Sequence, residues 1–157
     1  MQRSKVYFET YGCSFNTADS EAMAGVLESE GFELAESASQ ADLIVVNTCT
    51  VKDRTYLNFE KRFAQLKQEA QEGKGPALLV AGCIPKAYER TRLLDGVSAI
   101  GPDTLHLIGQ AAVRTLQGEA VHWIRPAQAS DRQNRALLPT RRQNPFIEIL
   151  PISRGCL

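Results

Sequence analysis

Three apolar, strand-like runs in this chain stop in the same way, at a cysteine followed by a helix-like pattern. They read KVYFETYGC, LIVVNTC and ALLVAGC and end at Cys13, Cys49 and Cys83. Short apolar runs alternating with amphipathic stretches specify a parallel sheet covered by helices on both faces. The strands of such a sheet all point one way, so three strand ends share one edge. Three thiols from distant parts of the chain therefore converge at the C-terminal edge, where open α/β sheets bind ligands. Three convergent thiolates suit a metal ion or an iron–sulfur cluster.

The competing explanation is packing, because a buried cysteine is usually a small core hydrophobe. Core cysteines would scatter along strands, whereas these three occupy equivalent strand ends. Gly12 and Gly82 precede two of them, and glycine lets a backbone turn sharply beside a bulky ligand. The helices that follow aim their positive N-terminal ends at the same edge, which favours an anionic group there.

The rest of the pattern predicts a three-layer, flavodoxin-like or Rossmann-like α/β fold with five strands. Strands are expected over Lys5–Thr10, Phe32–Leu34, Leu43–Asn47, Ala77–Ala81 and Val97–Ile100. A helix over Thr17–Ser29, capped by Asn16, carries the stripe Ala22, Val26 and Leu27, and Gly31 ends it. A second helix runs from about Arg54 to Glu72, with Leu57, Phe63 or Phe59, and Leu66 inward, and Gly73 and Gly75 stop it. A third spans Pro85–Leu94 with proline in its first turn. The fourth spans Asp103–Leu116, with Asp103 as cap and Gly118 beyond its end.

Residues 1–124 thus form one expected domain, and residues 125–143, rich in Gln, Ala, Arg, Asn and Pro, read as a linker. Residues 144–157 are expected to begin a further domain, since FIEILPISRGCL within them alternates like a strand and then turns at Gly-Cys. Charge follows this division. Residues 1–124 carry 12 Lys/Arg against 16 Asp/Glu, and residues 125–157 carry 6 Arg against 2 acidic residues. The linker arginines could touch phosphates, but such runs are mostly solvated. Formal net charge is zero, so no DNA or membrane partner is expected. MQRSKVYFE lacks an apolar signal core, and no apolar run approaches the ~18 residues of a membrane span. A cytoplasmic, reducing setting is expected, where cysteines serve metals or catalysis more often than disulfides.

Other chemistries lack their residues. The first strand ends in YGCSFN, with neither GxGxxG nor GxxxxGK[ST], so no nucleotide phosphate loop is present. The residues six beyond Cys13, Cys49 and Cys83 are Asp19, Thr55 and Glu89, which excludes a cysteine phosphatase loop ending in Arg. No CxxC occurs. His106 and His122 have no evident ligand or base partner and read as surface or packing residues. Trp123 and Phe146 could stack on RNA, but packing explains them better.

TYGCSFNTADSE resembles the opening motif of the radical-SAM methylthiotransferases, TxGCxxNxxDSE after the first strand. ADLIVVNTCTV is similar to their second motif and VAGCIP to their third, in the same order and at similar spacing. The resemblance covers essentially the whole chain. It implies that Cys13, Cys49 and Cys83 hold an auxiliary 4Fe–4S cluster with one open iron, with Asn16 and Asn47 behind the ligands. ISRGCL resembles the first strand and entry loop of a radical-SAM barrel. There Cys156 would be the first cysteine of a CxxxCxxC triad whose other two members this chain does not contain. The family has two clusters in its full-length members and uses S-adenosylmethionine and an electron donor. A 5′-deoxyadenosyl radical opens an unreactive C–H bond, and sulfur comes from the auxiliary cluster.

NTCTVKDRT and RRQNPFIEILPISRGCL resemble the branch that acts on N6-threonylcarbamoyladenosine in tRNA. The ribosomal-protein branch and the isopentenyladenosine-tRNA branch are the alternatives within the family. The alternative of another class is a stand-alone iron–sulfur or metal-binding module. The resemblance makes this chain one part of the enzyme, inactive by itself.

Overall fold

The three cysteine-ending runs are neighbouring strands of one parallel sheet in a computed structural model, which describes residues 3–49, 53–87, 92–125 and 135–152. The strands are β1 (Lys5–Thr10), β2 (Glu33–Leu34), β3 (Leu43–Thr48), β4 (Ala77–Gly82), β5 (Ser98–Ile100) and β6 (His122–Trp123). Their order is β2-β1-β3-β4-β5-β6, and every pair is parallel. The α/β class is as expected, with six strands in place of five. β6 pairs Ala99 with His122 and Ile100 with Trp123. Two residues are too few to show a strand's alternation, so only the exposed edge of β5 reveals it.

Both faces of the sheet are covered, which is why its central strands are apolar without a break. Leu43 and Val45 of β3 face α1 (Ser14–Ser29) and α4 (Ile108–Leu116), packing with Met23, Leu27, Ile108 and Ala111. Ile44 and Val46 face the other way, onto Phe59, Phe63 and Leu66 of α2 (Asp53–Gln71) and Ile84 of α3 (Cys83–Ala87). Phe59 and Phe63 are fully buried and stacked, with ring centroids 5.2 Å apart. No helix among the described residues is long and apolar enough to cross a membrane.

Helix starts depart from expectation in three places. α1 begins at Ser14, and Cys13, not Asn16, is its N-cap residue, with φ −96° and ψ −175°. Asn16 stands at the third helical position and reaches back, its Oδ1 accepting the Cys13 N–H at 3.3 Å. This is the reciprocal half of a capping box, with Asn in the place of Glu or Gln. Secondly, α3 begins at Cys83 ahead of the proline and is described to Ala87, with a 3₁₀ turn at Arg92–Leu94. Thirdly, the turn leading into α4 is capped at Thr104 and not Asp103, and runs as a 3₁₀ turn over Leu105–Leu107. The Thr104 hydroxyl accepts the Gly101 N–H at 3.0 Å and bonds the Trp123 carbonyl, tying β5 to β6.

Residues 138–143 cross the outside of α1. The Arg141 N–H donates to the Glu21 carbonyl and the Gln143 N–H to Glu21 Oε1, each at 2.9 Å. Gly25 lets the Pro139 carbonyl lie against the helix where any Cβ would collide with it. Beyond this strap, the alternating FIEIL segment forms no strand in the described residues. Phe146 and Ile152 are 95% and 92% exposed. Alternation produces a strand only beside a partner, and among the described residues no strand ladder includes this segment.

Candidate functional site

The sheet grows outward from β1 in both directions, first to β2 and then to β3. Such a reversal leaves a crevice between the two strand ends that flank it, here those of β1 and β3. Cys13 follows the end of β1, Cys49 follows β3 directly, and Cys83 follows β4 directly. Thr10 stands opposite Asn47, and Thr48 opposite Gly82. Cys49 and Cys83 therefore leave the sheet at matching register. Neighbouring strands lie about 4.8 Å apart, so β1 to β4 spans about 10 Å. Cys49 is buried, Cys13 and Cys83 are half-buried, and none of the three is in a disulfide.

The three thiols share the predicted edge but are not drawn into a ligand shell. Among the described residues, no three His, Cys, Asp or Glu side chains are grouped closely enough to hold a metal ion. Cys156 lies outside the described residues.

The backbone around the edge is tight. Gly82 has φ +96°, and a Cβ on it would overlap the Thr48 carbonyl and come 2.6 Å from Asn47 Oδ1. At Gly12, with φ +149°, a Cβ would strike the Asn16 side chain and lie 2.7 Å from Cys49 Cβ. The two glycines thus let three strand ends close up where the thiols emerge. Three soft donors on adjacent strand ends fit an iron–sulfur cluster by chemistry, and the glycine cradle fits the close approach of a bulky group.

Behind the edge lies a buried polar lattice. Asn16 Nδ2 donates to the Thr48 carbonyl at 3.0 Å. Asn47 Nδ2 donates to the Asn16 carbonyl at 2.7 Å and to Ser20 Oγ at 2.9 Å. Ser20 Oγ is 2.7 Å from Thr10 Oγ1, and Thr48 Oγ1 donates to the Ala81 carbonyl at 2.9 Å. These bonds join β1, α1, β3 and β4 directly beneath the cysteines. Asn47 Oδ1 is buried without a hydrogen-bond partner in the described structure, a state buried acceptors rarely adopt. Asn16 and Asn47 were legible in the sequence. Ser20, Thr10 and Thr48 were not, although polar residues closing an apolar buried strand require partners and are a usable signal.

A second group missed by the sequence reading secures the other face of β1. Arg62 on α2 grips the Glu9 carboxylate through Nε and Nη2, the shortest contact being 2.7 Å. The Tyr11 hydroxyl donates to the same carboxylate at 2.9 Å, and its ring meets Phe59 edge-on. Burial and the bond to Glu9 push the Tyr11 phenol up to about 12, so it stays protonated and keeps donating. The same carboxylate raises the Arg62 pKa further. His122 bonds the Val97 carbonyl at 2.9 Å, and Trp123 lies under Arg114, 5.4 Å from ring centroid to guanidinium. Trp123 is half-buried against the core, and His122 is exposed.

These features define a doubly wound α/β domain with three cysteines along its ligand-binding edge. Residues 5–99 match the family described as "Uncharacterized protein family UPF0004", and the chain belongs to that family. It is 36% identical over 156 residues to the human "Threonylcarbamoyladenosine tRNA methylthiotransferase", covering 98% of this chain and 26% of that protein. It is 40% identical over 158 residues to the "Probable threonylcarbamoyladenosine tRNA methylthiotransferase" of Methanothermobacter thermautotrophicus, covering 99% and 35%. The "tRNA-2-methylthio-N(6)-dimethylallyladenosine synthase" of Zymomonas mobilis is 30% identical over 155 residues, covering 96% and 33%. The chain spans about a quarter to a third of the length of these relatives. The resemblance to methylthiotransferases read from the three cysteine motifs is thereby borne out.

Proposed function

We propose that this chain is the N-terminal, cluster-holding part of a tRNA methylthiotransferase acting at C2 of N6-threonylcarbamoyladenosine beside the anticodon. The observation that carries the reading is the placement of Cys13, Cys49 and Cys83 at the ends of three adjacent parallel strands, flanking the sheet's switch point. Three protein thiolates on a 4Fe–4S cluster leave one iron open, and the bound cluster would supply sulfur from that site. The chain's own part is to present the thiols, exclude side-chain bulk through Gly12 and Gly82, and hold the loops through Asn16 and Asn47. Cys156 would begin the ligand set of a second, radical-generating cluster in a domain starting near residue 144. S-adenosylmethionine, an electron donor and tRNA would serve that whole protein, which would be cytoplasmic. The choice of threonylcarbamoyladenosine rests on the higher identity to relatives bearing that name, 36% and 40% against 30% for the dimethylallyladenosine enzyme.

The test is anaerobic reconstitution with iron and sulfide, followed by iron analysis and electron paramagnetic resonance. About one 4Fe–4S cluster per chain is expected. Cys13→Ala, Cys49→Ala or Cys83→Ala should each abolish or severely weaken it, and Cys156→Ala should not. Full cluster occupancy in the triple Ala variant would sink the assignment.

A further inference from the structure

Two of the three cysteine loops are joined by one side chain. Asn16 Oδ1 accepts the backbone N–H of Cys13 at 3.3 Å, and Asn16 Nδ2 donates to the backbone carbonyl of Thr48, the residue before Cys49, at 3.0 Å. The same Oδ1 is 3.6 Å from Cys13 Sγ. Asn16 is only 4% exposed, so water cannot stand in for either bond. Its own carbonyl is held by Asn47 Nδ2 at 2.7 Å, and Asn47 is also bonded to Ser20. The last β1–β3 backbone bond, from the Tyr11 N–H to the Asn47 carbonyl at 2.8 Å, stops two residues short of Cys13, which lies beyond the last pair, Thr10 opposite Asn47. Cys49 and Cys83, by contrast, follow a paired position, Thr48 opposite Gly82, reinforced by the Thr48 hydroxyl on the Ala81 carbonyl.

We propose that Asn16 is a positioning residue that sets the separation of Cys13 from Cys49, as a bridge between their loops and not merely as a cap on α1. The proposal deepens the cluster reading, and it concerns the protein before any cluster binds. The chemistry specifies asparagine. The bridge needs an acceptor and a donor on one planar group at this side-chain length. Aspartate offers two acceptors and would set a carboxylate against the Thr48 carbonyl, while glutamine is one methylene longer. Aspartate still serves the cap, since a carboxylate in the first helical turn accepts backbone N–H groups and suits the helix dipole. Bridge and cap therefore come apart in Asn16→Asp.

The experiment uses the metal-free 157-residue chain and dibromobimane, which joins two neighbouring thiols. Peptide mass spectrometry then gives the ratio of Cys13–Cys49 to Cys49–Cys83 product. In Asn16→Asp that ratio should fall about fivefold, the scale of one lost buried hydrogen bond. The Cys49–Cys83 product, held by the β3–β4 pairing, reports folding in the same sample. Asn16→Ser, which buries no charge, should give the same drop and serves if the aspartate variant does not fold. A ratio within about twofold of the parent in a folded variant would overturn the proposal. So would a parent protein that gives no Cys13–Cys49 product. Failure of the parent to take up a cluster would instead refute the cluster reading and leave this ratio unaffected.

Discussion

At the scale of the residue, the cysteines depend on neighbours that have no side chain. Gly31 and Gly82 have similar φ values, +93° and +96°. Around Gly31 nothing lies within 4 Å of the position a Cβ would take, whereas at Gly82 the Thr48 backbone and Asn47 Oδ1 stand in the way. Gly31→Ala should therefore cost only the backbone term, roughly 1–2 kcal/mol. Gly82→Ala adds a collision with backbone that the β3–β4 ladder holds fixed, and should cost roughly 2–4 kcal/mol. Urea unfolding of the two variants checks the difference, and equal losses would show that the strand ends are not tightly closed. Asn47 Oδ1, without a hydrogen-bond partner among the described residues, lies against this glycine, so the crowding and that acceptor occupy the same few ångströms behind the thiols.

At the scale of the element, α1 works on both of its sides. Its inner side fills the core with Met23, Val26 and Leu27, and its first turn carries Cys13 and Asn16. Its outer side holds the strap through Glu21, which is 5% exposed yet accepts a backbone N–H. The ion pairs Arg141–Glu28 and Arg142–Glu148 are exposed and contribute little. Strap docking thus rests on Glu21 and on the missing Cβ of Gly25. Gly25→Ala should lift the strap while leaving the sheet intact, because the new methyl group points away from the core into the Pro139 carbonyl. Trypsin cleavage after Arg141 and Arg142 should speed up about tenfold, as local opening does when a docked segment loses its contacts. Unchanged cleavage would show that the segment does not need that close approach. Sequence periodicity could not reveal the strap, because it is neither helix nor strand and its partners lie more than a hundred residues away.

At the scale of the whole molecule, a radical-generating cluster needs three thiolates, and beyond Cys83 this sequence contains only Cys156. The 157-residue chain should therefore neither cleave S-adenosylmethionine reductively nor methylthiolate tRNA. A protein extended through two further cysteines and an RNA-binding region should do both. Mass spectrometry of tRNA nucleosides after anaerobic incubation with reductant decides this, and 2-methylthio product from the 157-residue chain would overturn the division of labour. The sequence by itself determined the parallel α/β class, the direction of the strands, and hence that Cys13, Cys49 and Cys83 share an edge. Strand periodicity and the turn after each strand are local properties, and parallel strands leave no other place for their ends. Only the tertiary structure decided that β1, β3 and β4 are adjacent, that Asn16 completes the α1 capping box from its third helical position and also bonds the Thr48 carbonyl, that Glu9 is gripped by Arg62, and that a sixth strand pairs with β5. Those outcomes depend on which segments meet across thirty or more residues in most of these cases, and no local pattern of side chains encodes a partner at that distance.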